Sequence, residues 1–383
     1  MTLYCTKHFL QLIALVILMT LFGSAPASPQ VVPAPKQMDW SGGTTKIQSA
    51  HIDAGNSKDN AALLKEILEE KQIALSESGT PIKLKTDDID LPEIDSAYRE
   101  TIARQAYHLL IGEDAVTITG ASPQGVFYGL QTFDQLLDSK TLPVGEITDW
   151  PDIPIRMIMI DPARQNENFG YYRELIRFAA LYKINAILCH LTDDQTSVLY
   201  HEKYPELMHP QAWRPNEVRK LVSYARKHHI ELIPEIESLG HSRMFTRMDD
   251  FEDYLHQTNT GRKSSWTGTN IEGYTNVLCP ASDEAMQYLE DMYARAAETF
   301  DHPWLHVGCD EVEMTVCDRC REKFGELSKS EWILTALERI RERVREHGKT
   351  VALWGDMLIH YPEVADALPT SHTVIFDWDY RPE

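Results

Sequence analysis

The apolar positions of this chain change rhythm near residue 150. Beyond that point short apolar runs alternate with longer segments in which apolar residues recur every three to four positions. The runs predict strands at 156–161, 185–191, 231–236, 304–308, 351–354 and 374–378. The periodic segments predict helices near 171–183, 216–229, 282–300 and 329–347. In the last of these Ile333, Ala336, Leu337, Ile340 and Val344 share one face, and Gly348 supplies a C-terminal stop. Strand–helix alternation of this kind implies a parallel sheet with helices outside it. Each strand also ends in residues that a core would not select. These are Asp161 with Arg164, His190 with Asp193 and Asp194, Glu235 with Glu237 and His241, Asp310 with Glu311, Trp354 with Asp356, and Asp377 with Trp378. In a (β/α) barrel the C-terminal strand ends form the active-site face. The predicted fold is therefore α/β, a TIM barrel of the (β/α)8 type with about six of eight strands present.

Before residue 150 the pattern is mixed. Residues 28–46 are rich in Pro, Gly, Ser and Thr and read as an extended lead-in. The segment 61–70 is helical in pattern, 106–111 and 115–119 form two strands about a turn at Gly112-Glu113-Asp114, and 125–137 is again helical. This predicts a small α+β domain over 28–148, with the barrel over 149–383. The boundary falls where prolines interrupt 147–154.

The first 27 residues stand apart. Lys7 and His8 precede an apolar run from Phe9 to Phe22, followed by Ala25-Pro26-Ala27, an A-x-A cleavage pattern. The run is short of the roughly 20 residues that span a bilayer. It predicts a signal peptide over 1–27 and a secreted or periplasmic protein, with an uncleaved anchor as the competing reading. The net charge of −21, from 58 acidic and 37 basic side chains, repels phosphates and anionic headgroups. Nucleic acid and, after signal cleavage, membrane are poor partners for such a surface. A neutral ligand suits it better, and the oligomeric state is not legible. Cys189, Cys279, Cys309, Cys317 and Cys320 remain after cleavage. The spacing of Cys317 and Cys320 fits half a zinc site, but no second CxxC or H-x-H accompanies it, so a local disulfide or two free thiols is the expectation.

The chemistry concentrates in Trp304-Leu-His-Val-Gly-Cys-Asp-Glu311. A strand delivers two adjacent carboxylates to the barrel mouth, where crowding raises one pKa towards general-acid duty. A lone Asp-Glu pair is ordinarily just a solvated loop. Here the preceding strand and the other polar strand ends favour catalysis. His190, Asp193, Asp194 and His241 also form a set that could gather around a divalent ion, as in barrel amidohydrolases, although no H-x-H lies on the first strand.

The segment resembles the H-x-G-G-D-E signature of glycoside hydrolase family 20, with Cys309 in place of the second Gly. Four further runs keep that family's order. They are 121–132 at the end of the small domain, Arg156-Met-Ile-Met-Ile-Asp-Pro-Ala-Arg164, His190-Leu-Thr-Asp-Asp-Gln195 and Pro234-Glu-Ile-Glu-Ser-Leu-Gly-His-Ser242. The resemblance implies an exo-acting β-N-acetylhexosaminidase that removes terminal β-linked GlcNAc or GalNAc without metal or cofactor. In that scheme the sugar's own acetamide oxygen is the nucleophile. Carried over residue by residue, Glu311 is the acid and base and Asp310 orients the acetamide. Arg156 holds sugar hydroxyls, Asp194 and His241 line or support the pocket, and Trp354, Asp356 and Trp378 complete the substrate site, with a core role as the competing reading for each tryptophan. Leu239, Glu237 and Gln165 depart from the family pattern at positions that bear on subsite shape. At about 39 residues per strand unit, two further units need roughly 80 residues beyond Glu383, so a truncated product or an incomplete sequence is expected. The rival readings are a defunct or purely glycan-binding fragment and a metal-dependent barrel hydrolase.

Overall fold

A computed structural model of the chain describes residues 30–94, 96–137, 140–257, 273–312 and 317–378, so the predicted leader lies outside the described residues. The chain divides into two compact units between Pro154 and Ile155.

In the first unit the elements run β1 (Gln37–Lys46), β2 (Ser49–Asp53), α1 (Lys58–Glu70), β3 (Ala74–Leu75), β4 (Thr80–Thr86), α2 (Arg99–Ala103), β5 (Tyr107–Ile111), β6 (Val116–Gly120), α3 (Pro123–Leu136) and β7 (Thr141–Asp149). The strands form one mixed sheet in the order β1-β7-β5-β6-β4-β2-β3. The hairpin about Gly112–Asp114 is present, with β5 and β6 antiparallel. Helix α3 begins where Pro123 fills the first turn and Ser122 accepts from the amides of Gln124 and Gly125. It buries Val126, Phe127, Leu130, Phe133 and Leu136. The Tyr107 hydroxyl meets Thr132 Oγ1 at 2.6 Å and Asp149 Oδ2 at 3.0 Å, tying β5, α3 and β7 together. Two expectations change here. The lead-in contains a ten-residue strand, β1, and residues 147–149 belong to its partner β7 rather than to an interruption. Gly- and Thr-rich edge strands carry little apolar periodicity, which is why they read as coil.

The second unit runs β8 (Met157–Ile160), α4 (Phe169–Leu181), β9 (Ala186–His190), β10 (Ser197–Leu199), β11 (Met208–Trp213), α5 (Pro215–Lys227), β12 (Glu231–Glu235), β13 (Leu255–Gln257), β14 (Tyr274–Leu278), α6 (Asp283–Thr299), β15 (Trp304–His306), α7 (Asp318–Phe324), α8 (Lys329–Glu346), β16 (Thr350–Trp354), α9 (Asp356–His360), α10 (Pro362–Ala367) and β17 (Thr373–Phe376). Six strands pair in parallel in chain order, β8-β9-β12-β15-β16-β17. Neighbouring strands joined through helices are what barrel connectivity requires. This is a six-stranded parallel sheet of the TIM-barrel type, preceded in the chain by a small domain.

Helix α8 shows how the sequence produces the outer layer. Ser328 and Glu331 form a reciprocal capping box, while Ile333, Ala336, Leu337, Ile340 and Val344 are buried. Inside, Ala186, Leu188 and Ile233 form a core against which Met157, Trp304 and Trp354 pack. Because strand side chains alternate, Ala186 and Leu188 share a face with His190, and Ile233 shares one with Glu235. The apolar floor is thus continuous with the polar layer above it. Among the described residues no helix is long and apolar enough to cross a membrane.

Candidate active site

The C-terminal ends of the strands carry a buried polar layer. Glu235 ends β12, pairs in register with His190 and His306 of the adjacent strands, and is fully buried. Its Oε2 lies 2.9 Å from His190 Nδ1 and its Oε1 lies 3.2 Å from His306 Nδ1. The Trp354 indole N–H donates to Oε1 at 2.7 Å. Burial opposes the charge on Glu235, but His190 and His306 outweigh it and hold the carboxyl well below its ordinary range. Trp354 also packs edge-on against His306 and Phe376, with centroids 4.5 and 6.0 Å away. Its indole is therefore part of the barrel interior beneath the mouth.

His190 connects this layer to the next. Its Nε2 lies 2.8 Å from Asp193 Oδ2, so both ring nitrogens face carboxylates. Burial alone would lower its pKa, but Glu235 and then Asp193 raise it to about 10. Asp193 also receives Arg164 Nη2 at 2.7 Å. Arg164 is further paired with Asp161 at 2.9 Å and keeps its guanidinium half-exposed at the mouth. Asp194 accepts the backbone N–H of Arg243 at 2.8 Å. Burial raises its pKa.

The two candidate catalytic carboxylates follow β15 in a tight turn. Gly308, Cys309 and Glu311 have φ of 62°, 69° and 50°. That left-handed region costs a side-chain-bearing residue free energy. At Gly308 there is also no room, because a Cβ would sit on the Glu237 carboxyl. Cys309 occupies a backbone conformation that glycine adopts freely, which accounts for the Gly of the family signature at this position. Its thiol is buried and donates to the Val307 carbonyl at 3.2 Å. The turn points Asp310 inward and leaves Glu311 about half-exposed, at 17% and 46% side-chain exposure. Asp356 Oδ2 accepts the backbone N–H of Glu311 at 2.9 Å. This carboxylate therefore fixes the peptide that carries the candidate acid.

Two ionisable groups flank the dyad. Burial, with Asp310, Glu235 and Asp193 nearby, pushes Glu237 well above the carboxyl range. The Asp310 carboxylate beside it favours its protonated form. His241, itself at φ 50°, has Nε2 at 3.7 Å from Asp310 Oδ2 and 3.5 Å from Glu311 Oε2. Its Nδ1 lies 3.8 Å from Asp193. Burial works against its charge, but Asp310, Asp193 and Asp194 raise its pKa to about 9, so it is an imidazolium at neutral pH. Because the folded-state pKa lies above the unfolded one, its contribution to stability is full below about pH 6.5 and is lost as pH rises through about 9. Thermal melts across that window are expected to show a fall in Tm that His241→Gln reduces. An equal fall in both proteins would remove His241 from the account.

Most of the residues singled out from sequence converge here. Asp194, His241, Asp310, Glu311, Trp354 and Asp356 lie at one end of the sheet, and Trp378 follows β17 at that end. Arg156 does not join them, and its assignment is corrected. It precedes β8, and its Nε donates to the Lys183 carbonyl at 2.9 Å while its amide donates to Asn185 Oδ1 at 2.7 Å. These partners precede β9, so Arg156 ties the strand beginnings at the foot of the sheet. Arg164, the second arginine of the same motif, stands at the mouth. The strand-end pattern includes His190, Glu235 and Glu237 without giving them these partners, and it leaves out His306. The signal for His190, Glu235 and His306 is alternation, with polar residues at the last inward positions of otherwise apolar strands, whereas Glu237 lies beyond the end of β12.

Both units of the chain match known proteins. Residues 154–383 match the family model described as glycosyl hydrolase family 20, catalytic domain, and residues 28–150 match its domain 2. A β-hexosaminidase of Akkermansia muciniphila is 24% identical over 315 residues, covering 75% of this chain and 61% of that protein. One from Porphyromonas gingivalis is 27% identical over 288 residues, covering 67% and 36%. Among solved structures, an exo β-N-acetylglucosaminidase of Vibrio harveyi in complex with N-acetylglucosamine superposes with a TM-score of 0.72 at 23% identity. It covers 91% of this chain and 57% of that one. The chain thus spans less than two thirds of the length of each of these proteins.

Proposed function

Because the chain belongs to glycoside hydrolase family 20, we propose that it is an exo-acting β-N-acetylhexosaminidase, exported to the periplasm or medium, that cleaves terminal β-linked GlcNAc or GalNAc. One observation carries this reading. Asp310 and Glu311 are adjacent in sequence yet differ in environment, one turned in towards Glu237 and His241, the other half-exposed at the mouth. That asymmetry suits two different duties. Glu311 protonates the departing glycosidic oxygen and then takes a proton from the incoming water. Asp310, set deeper, accepts the acetamide N–H and stabilises the positive charge that grows on the acetamide as its oxygen attacks the anomeric carbon. No enzyme nucleophile is needed in this scheme. Arg164 offers its half-exposed guanidinium to the sugar hydroxyls, since its planar fork donates parallel hydrogen bonds.

The test compares aryl β-GlcNAc and β-GalNAc glycosides with the aryl β-glucoside, which has a hydroxyl where the others carry the acetamide. Turnover of the acetamido sugars with no detectable turnover of the glucoside is expected. Comparable cleavage of the glucoside would overturn the reading.

A further inference from the structure

Four side chains that the reaction does not use converge beside the active-site loops. The hairpin of β13 and β14 supplies His256, and Cys279 follows β14 directly. Cys317 and Cys320 lie at the start of α7. All four are buried, and their donor atoms lie within 4.8 Å of one another. Cys279 Sγ is 3.8 Å from Cys317 Sγ and 3.7 Å from Cys320 Sγ, and Cys320 Sγ is 3.7 Å from His256 Nδ1. None of the three cysteines is in a disulfide, so of the two arrangements expected from the CxxC spacing it is the free thiols that are present.

The spacings have a specific meaning. Three thiolates and an imidazole around a tetrahedral zinc, with Zn–S of about 2.3 Å and Zn–N of about 2.0 Å, sit about 3.8 Å apart for sulfur pairs and about 3.5 Å apart for sulfur and nitrogen. A disulfide requires about 2.05 Å, and closely packed uncharged thiols have no reason to surround an imidazole nitrogen. Outer contacts of the kind that orient metal ligands are also in place. The Trp332 indole N–H donates to Cys320 Sγ at 3.2 Å, and the Cys320 amide donates to Cys317 Sγ at 3.3 Å. His256 packs edge-on against the Trp332 ring.

We propose that His256, Cys279, Cys317 and Cys320 bind one zinc ion as a closed structural site. All four tetrahedral positions come from protein, so no position remains for a substrate or water, and the ion has no part in the chemistry. Its place in the chain defines what it does. The hairpin that contributes His256 and Cys279 is bonded to the loop carrying His241, through Ser242 N to Asn276 O at 2.9 Å and Leu278 N to Leu239 O at 2.8 Å. Cys317 lies six residues after Glu311. The ion thus pins together the elements that carry the imidazolium and the candidate acid. It also keeps three thiols from oxidising in an exported protein. The sequence concealed the site because two of its ligands lie outside the CxxC and far apart, at 256 and 279.

Metal analysis of the full chain, purified under mild reducing conditions, is expected to find one equivalent of zinc. Cys320→Ser and His256→Ala are expected to lose it, while Cys189→Ala retains it. Should the first two variants fail to fold, the wild-type protein still decides the matter. Chelation followed by addition of cobalt(II) is expected to restore one equivalent and produce the intense thiolate-to-cobalt charge-transfer absorption of a tetrahedral thiolate site. Alkylating reagents are expected to reach these cysteines only after chelation. Absence of both zinc and the cobalt absorption, or a disulfide between any two of the three cysteines, would overturn the proposal. None of these readouts depends on glycosidase activity.

Discussion

Replacing Glu311 with Gln is expected to lower kcat/KM by about 10²–10⁴-fold on a β-GlcNAc glycoside with an unactivated sugar aglycone, the range that general acid–base catalysis supplies. Gln preserves the volume and the hydrogen-bonding reach of the side chain but cannot deliver a proton. The backbone of residue 311 stays anchored, because its N–H rather than its side chain meets Asp356. The side chain is about half-exposed, so stability should move by no more than about 0.5 kcal/mol. The aglycone dependence is the more telling part. A nitrophenolate departs without protonation, so the first step of the variant should suffer much less on a nitrophenyl glycoside than on a sugar aglycone. A variant that turns over both substrates as fast as the wild type would show that the proton comes from another group.

The second large effect is on stability. Glu235→Ala removes the carboxylate that lies between His190 and His306 and accepts the Trp354 N–H. The site is completely buried, and breaking a buried ionic network by deleting one member costs about 3–5 kcal/mol. For a domain of this size that corresponds to a drop in Tm of roughly 10 °C. Glu235→Gln keeps an acceptor for the indole and should fall between the two. Because the folded-state pKa of Glu235 is depressed, its contribution is present above the unfolded carboxyl value of about 4.3 and is lost on acidification. The gap in Tm between wild type and Glu235→Ala should therefore narrow as the pH falls below that value. A gap unchanged down to low pH would mean that packing, not charge, accounts for the loss.

The second unit was largely legible because its elements carry strong periodicity. The predicted strand at 185–191 is β9, and the helix at 329–347 is α8, each within a residue or two. Strand β1 was not legible, since its residues alternate only weakly and most of them face solvent. Within the site, Asp310 and Glu311 stood out because two carboxylates at a strand end defy core logic. Glu237 did not, because its role depends on burial behind Gly308 and on proximity to Asp310, which a linear pattern does not encode. Arg156 and Arg164 show the opposite failure. Both bracket the same strand, and only the direction of β8 decides which of them reaches the mouth. The cysteine cluster was hidden for a third reason: His256 and Cys279 meet Cys317 and Cys320 through tertiary packing alone.

Substrate assistance is the central claim, and it is tested most directly by varying the acyl group on the sugar nitrogen. Aryl β-glycosides bearing N-acetyl, N-monofluoroacetyl, N-difluoroacetyl and N-trifluoroacetyl groups differ little in shape, but each fluorine withdraws electron density from the carbonyl oxygen. If that oxygen attacks the anomeric carbon, kcat/KM should fall steeply and monotonically along the series. Rates that stay level as fluorine accumulates would contradict the account and return the nucleophile's role to water or to a carboxylate of the enzyme.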